Sequence, residues 1–138
     1  MAKNYELIEH TADVGIRVEG GDLKELFKNA ALDMFEIMAE AKNKAEAKKE
    51  LNIKLKADNL EELFINWLNE LLSLSATKEL IFPAFKITKI DERGLEAALF
   101  GSDIKNYRLN SEIKAATYHQ LKLRQLKSTW QAEVIFDV

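Results

Sequence analysis

The sequence predicts a single α+β domain in which a largely antiparallel sheet carries two amphipathic helices packed on one face. Three observations predict it. Two segments place apolar residues at helical spacing, and the stretches between and after them alternate apolar and polar residues with a period of two. Only one proline and five glycines interrupt 138 residues, so no linker divides the chain and residues 1–138 read as one domain. A domain of this size buries roughly two-thirds of its unfolded surface and needs neither metal nor disulfide merely to fold.

The elements follow in order. Residues 5–9 and 14–19 read as short strands around the break His10, Thr11, Ala12 and Asp13, with Gly20 and Gly21 closing the second. Residues 22–40 read as a helix, because Leu23, Leu26, Phe27, Ala30, Ala31, Met34, Phe35 and Met38 share one face, and Asp22 with Glu25 forms a capping box. A charged stretch over 41–50 precedes a half-buried strand over 49–57, in which Leu51, Ile53, Leu55 and Ala57 alternate with polar residues. The second helix is expected to start at Asp58, with Glu61 completing another capping box, and to carry Leu60, Leu63, Phe64, Trp67, Leu68, Leu71, Leu72 and Leu74. Strands are then expected over 84–90 and 95–101 around an Asp91–Gly94 turn, over 111–124, and over 129–137. Two helices separated by a strand and followed by a meander give the α+β class, while strand order is not readable from the pattern.

Composition excludes several functions. Twenty Lys and Arg against 23 Asp and Glu leave a net charge of −3, the wrong sign for a protein whose main task is gripping a phosphate backbone. The absence of cysteine removes disulfides, thiolate zinc sites and a cysteine nucleophile, and fits a reducing, cytoplasmic setting. The start lacks an apolar signal core, and no apolar run is long enough to span a membrane, so no membrane partner is expected. Glycine-rich phosphate loops, a G-x-S-x-G elbow and an H-E-x-x-H helix are all missing. Phe82, Phe85 and Tyr107 lack the basic surroundings of a base-stacking platform.

Few polar groups remain that could carry chemistry. The last strand sets Trp130, Ala132, Val134 and Phe136 on one face and Gln131, Glu133, Ile135 and Asp137 on the other. Asp137 therefore stands beside the terminal carboxylate of Val138, either as part of a solvated tail or as half of an oxygen-rich anionic site. Asp13 and His10 occupy a break where turn formation competes with a ligand role. Alternation over 111–124 puts Lys114, Ala116 and Tyr118 on one face and Ile113, Ala115, Thr117, His119, Leu121 and Leu123 on the other. His119 is thus expected in the core, with a supporting or partner-contact role as the alternative, and Lys114 is either solvated or the charge partner of a carboxylate or phosphate.

Read together, Glu9 with H-T-A-D-V-G-I (10–16), L-F-I-N-W-L-N-E-L-L (63–72), E-I-K-A-A-T-Y-H (112–119) and the closing W-x-A-x-V-I-F-D-V resemble the archease family over nearly the whole chain. Ser102, Leu109 and Thr129 depart from residues common in that family. The resemblance implies an activating protein cofactor, not itself an enzyme, of an RtcB-type RNA-splicing ligase. It would promote the ligase's GTP-dependent guanylylation and multiple turnover in tRNA splicing or RNA repair, with RNA reached indirectly through the ligase. It also implies a metal site on Asp13, Asp137 and Val138, with calcium as the cation and magnesium or manganese as substitutes, and with His10, Lys114 and His119 in supporting or partner-contact roles. A runner-up reading is a chaperone-like modulator of a tRNA methyltransferase. A third is a metal-dependent hydrolase, for which no general base stands out.

Overall fold

The computed structural model describes residues 5–9, 13–42 and 46–138. In chain order these form β1 (Tyr5–Glu9), β2 (Asp13–Gly20), α1 (Leu23–Met38), β3 (Ala39–Ala41), β4 (Lys49–Lys56), α2 (Leu60–Lys78), β5 (Leu80–Asp91), β6 (Gly94–Asp103), a short 3-10 turn (Ile104–Asn106), β7 (Tyr107–Leu109), β8 (Ala115–Gln125) and β9 (Trp130–Asp137). The strands divide among a four-stranded sheet in the order β1-β2-β9-β8, a three-stranded sheet in the order β4-β6-β5, and a β3-β7 ribbon. Every pairing is antiparallel. The first and last parts of the chain therefore share one sheet, with β9 inserted between β2 and β8. Both helices touch both larger sheets.

Each helix begins where a side chain satisfies its free amides. Asp22 Oδ1 accepts from the Glu25 amide at 2.8 Å, and the Glu25 carboxylate accepts from the Gly21 amide at 3.1 Å. Gly20 sits where β2 meets α1 so closely that a Cβ would collide with the backbone of Glu25 and Leu26. The cap of α2 is Asn59 and not Asp58: Asn59 Oδ1 accepts from the Glu62 amide at 2.9 Å, shifting the expected box by one residue. α2 also runs on to Lys78 and ends on Glu79, whose left-handed backbone (φ 56°) turns the chain into β5. The helices lock together in the core, where fully buried Trp67 donates its indole N–H to the Phe27 carbonyl at 2.9 Å and Phe27 meets Phe64 edge-on at 5.1 Å.

Further sequence expectations need correction. β5 starts at Leu80 and not at residue 84, because Pro83 is accommodated in a register shift between Ile81 and Ala84 on an edge strand, where its missing N–H breaks no continuous ladder. The β3-β7 ribbon was not expected at all; its strands are three residues each, too short to show a period. β8 starts at Ala115, not 111, and its alternation is broken. Thr117 pairs with Ile135 and Lys122 with Glu133, so residues 118–121 stand against Val134 alone. Gln120 takes a left-handed φ of 52° within this loop-out. The interruption reverses the phase, so Ala116 and Leu123 share a face through their partners Phe136 and Ala132, instead of lying on opposite faces. His119, expected in the core, is exposed.

Candidate functional site

The β2–β9 ladder runs unbroken from Gly20↔Trp130 to Asp13↔Asp137. Its inner face is fixed by apolar pairs, Val18 with Ala132, Ile16 with Val134 and Val14 with Phe136, so burial dictates the register. That register leaves Asp13 and Asp137 directly opposed at the open end of the outer face. Opposed residues of an antiparallel pair project to the same side with Cβ atoms about 4.5–5.5 Å apart.

Four residues further along the same face, the ladder pairs opposite charges. Arg17 donates to Glu133 at 3.3 Å and to Glu6 on β1 at 2.8 Å, and Arg124 on β8 reaches Glu133 at 3.4 Å. Hydrogen bonding and attraction from Glu133, aided by Glu6, hold the Arg17 guanidinium above its ordinary pKa. The Asp13–Asp137 row instead joins like charges, an arrangement that costs stability unless a cation lies near.

β8 supplies the other wall. Ala115 lies opposite Asp137, and the Lys114 amide donates to the Asp137 carbonyl at 2.7 Å, holding the last residues of β9 on both sides. Asn69 on α2 fastens this wall, its Oδ1 accepting from the Ala116 amide at 2.7 Å and its Nδ2 donating to the Ala116 carbonyl at 3.2 Å. Sequence reasoning missed that role; the available signal was an amide side chain set among Leu68, Leu71 and Leu72 on a buried helix.

Asp137 is exposed, Asp13 half-buried, and Val138 is 39% exposed as the residue that follows Asp137. The structure thus brings Asp13 and Asp137 together with the chain end beside them. Lys114 is exposed at the edge of the same row through its backbone bond, whereas the register sets Ala115, not His119, beside Asp137. His10 lies outside the described residues. Among the described residues no three His, Asp or Glu side chains group tightly enough to hold a metal ion by themselves.

Comparison with known proteins places this arrangement in context. The chain matches the archease protein family over residues 5–138. It is 35% identical over 142 residues to the protein archease of Methanosarcina barkeri, covering 99% of this chain and 97% of that protein. Against the protein archease of Pyrococcus furiosus it is 34% identical over 143 residues, with 99% of each covered. The solution structure of Methanobacterium thermoautotrophicum protein 1598 superposes with a TM-score of 0.78 at 31% identity, over 99% of this chain and 100% of that one. The crystal structure of an archease, possible chaperone, from Thermotoga maritima shares the fold with a TM-score of 0.64 at 23% identity, over 95% of this chain and 94% of that one.

Proposed function

The chain belongs to the archease family, and from that premise we propose that it is an activating protein cofactor of an RtcB-type RNA-splicing ligase, promoting the GTP-dependent guanylylation step and repeated turnover. The single observation that supports this reading best is the in-register opposition of Asp13 and Asp137 beside the chain end. Their oxygen-only donor set suits a hard divalent cation, calcium first and magnesium or manganese next, and does not suit zinc. Three carboxylates are fewer than the about six to eight oxygens that calcium takes, so water or a partner's groups would complete the shell. The cation, when bound, supplies positive charge at an otherwise anionic strand end. Asp13 and Asp137 hold it, β8 keeps β9 from fraying, and the exposed position of Asp137 leaves the site open to a docked protein. Lys114 is placed to meet a carboxylate or phosphate of that partner.

The test is guanylylation and ligation by a limiting amount of ligase with GTP, RNA and the wild-type protein, or its Asp13→Ala or Asp137→Ala variant. Wild-type protein is expected to stimulate, and each variant to lose about tenfold or more of that stimulation, as removal of a metal ligand does. Full stimulation by both variants would overturn the metal seam, and no stimulation by wild-type protein would overturn the activator reading. Circular dichroism checks that both variants fold, as expected for substitutions at an open strand end.

A further inference from the structure

A cavity of about 720 Å³ opens beside α1, beneath the β3-β7 ribbon and the first turns of β5. Three acids line it, Asp33 and Glu36 from α1 and Glu40 from β3, with no Lys, Arg or His among the described lining residues. Tyr5 and Tyr107 give it half-buried aromatic walls, and Phe35 and Phe82 lie buried in its lining. Its volume falls in the range of about 300–1,000 Å³ typical of small-ligand sites and far exceeds the about 30 Å³ of one water.

Asp33 is the anomaly. It is 2% exposed, and its Oδ2 atom is buried with no hydrogen-bond partner. Burial, reinforced by repulsion from Glu36, pushes its carboxyl up to about 7. A buried carboxyl oxygen left unpaired is costly and rare in native proteins, so a donor that reaches it would be strongly favoured. A bare metal ion is a poor candidate, because these acids are not among any group of three tight enough to hold one. A donor that also fills the adjoining cavity would be larger, cationic and partly apolar. An alkyl stem against aromatic faces with a planar or tetrahedral cation at its tip meets all three demands.

We propose that this cavity is a binding site for an alkylguanidinium or alkylammonium group, its cation pairing with Asp33 and its stem lying against Tyr5 and Tyr107. Either a free amine or a basic side chain offered by another protein carries that chemistry. The proposal is independent of the metal seam and of the ligase.

The test is titration of the full chain with agmatine, and separately with a blocked Ala-Arg-Ala peptide, followed by amide NMR and calorimetry. Saturable binding with shifts centred on residues 32–41 and 107–110 is expected. Binding by agmatine alone assigns the site to a free amine, and binding by both probes assigns it to a presented side chain. Asp33→Asn conserves shape and removes the buried acid, so it is expected to fold and to weaken binding about tenfold, the loss of one charge-assisted hydrogen bond. Because the ionised carboxylate is the binding form, affinity should rise from about pH 6 to about pH 8 in the wild type and stay level in Asp33→Asn. The other titratable groups that line the cavity are Glu36, Glu40, Tyr5 and Tyr107. Absence of saturation by either probe, affinity unchanged in Asp33→Asn, or stoichiometric displacement by calcium would overturn the proposal.

Discussion

The seam and the cavity both set carboxylates beside other carboxylates, and they differ in what creates the tension. At the seam, Asp13 and Asp137 stay in contact with water and are forced together by strand register. In the cavity, Asp33 has lost its water, and its own charge is the difficulty, with Glu36 only adding to it. The seam conflict is small, up to about 1 kcal/mol for like charges across a ladder. The apolar pairs along the same strands, Val18 with Ala132 and Ile16 with Val134 both buried, carry it easily. The Asp33 conflict is larger, and it shows as a carboxyl pushed up to about 7. An exposed acid pair is thus a question of geometry, whereas a buried acid is a question of ionisation.

Reversing one charge at the seam tests the first half most severely. Asp137→Lys would set a cation opposite Asp13 and copy the Arg17–Glu133 arrangement further along the ladder. Calcium affinity is expected to fall about 100-fold or more, since a ligand is lost and a like charge gained. Melting temperature without metal should hold or rise slightly. Calcium calorimetry and a thermal melt read the two effects, and a variant that binds calcium as wild type does would remove Asp137 from the site.

Titration of stability tests the second half. An ordinary aspartate releases its proton at 3.8, whereas folded Asp33 holds its proton up to about 7. Between those values the unfolded chain has lost a proton that the folded chain keeps, so stability falls as pH rises across that window and is level beyond either end. The contribution is on the order of 2–4 kcal/mol. Denaturant melts from about pH 4 to about pH 8 should show this decline in the wild type and lack it in Asp33→Asn. Equal pH profiles for the two proteins would show that Asp33 ionises freely in the fold.

The two places were also unequally legible. The seam residues stood out as polar groups at a loop and at a strand end, but their adjacency did not, because Asp13 and Asp137 lie 124 positions apart and no local pattern encodes which strands neighbour each other. Resemblance to a family supplied that expectation where spacing could not. Asp33 was visible as an acid three residues after Ala30 on an otherwise apolar stripe, yet the stripe was read only for its apolar members. Helices were legible because their periodicity is local. The β8 phase reversal at residues 118–121 was not, since it arises from an imbalance between two strands, and neither strand shows it alone. Asp58 and Asn59 are both good caps, and the choice between them rests on which side chain meets a free amide.

A smaller effect separates the wall of the seam from its ligands. Asn69 presents to Ala116 what a neighbouring strand would present, a carbonyl for the N–H and an amide for the C=O, and so couples α2 to β8 one residue from the partner of Asp137. Asn69→Ala leaves two backbone groups of buried Ala116 unpaired and should cost about 1–3 kcal/mol in a denaturant melt. Asn69→Asp keeps an acceptor for the Ala116 amide but sets a carboxylate against the Ala116 carbonyl, so it should cost at least as much near neutral pH and less once acid protonates it. If Asn69 acts only through β8, both variants should still bind calcium, with hydrogen exchange quickened at residues 115–117 and not at residues 14–18. Faster exchange across both stretches would instead mean that β2, β9 and β8 open as one unit, and that the seam is no firmer than its outer wall.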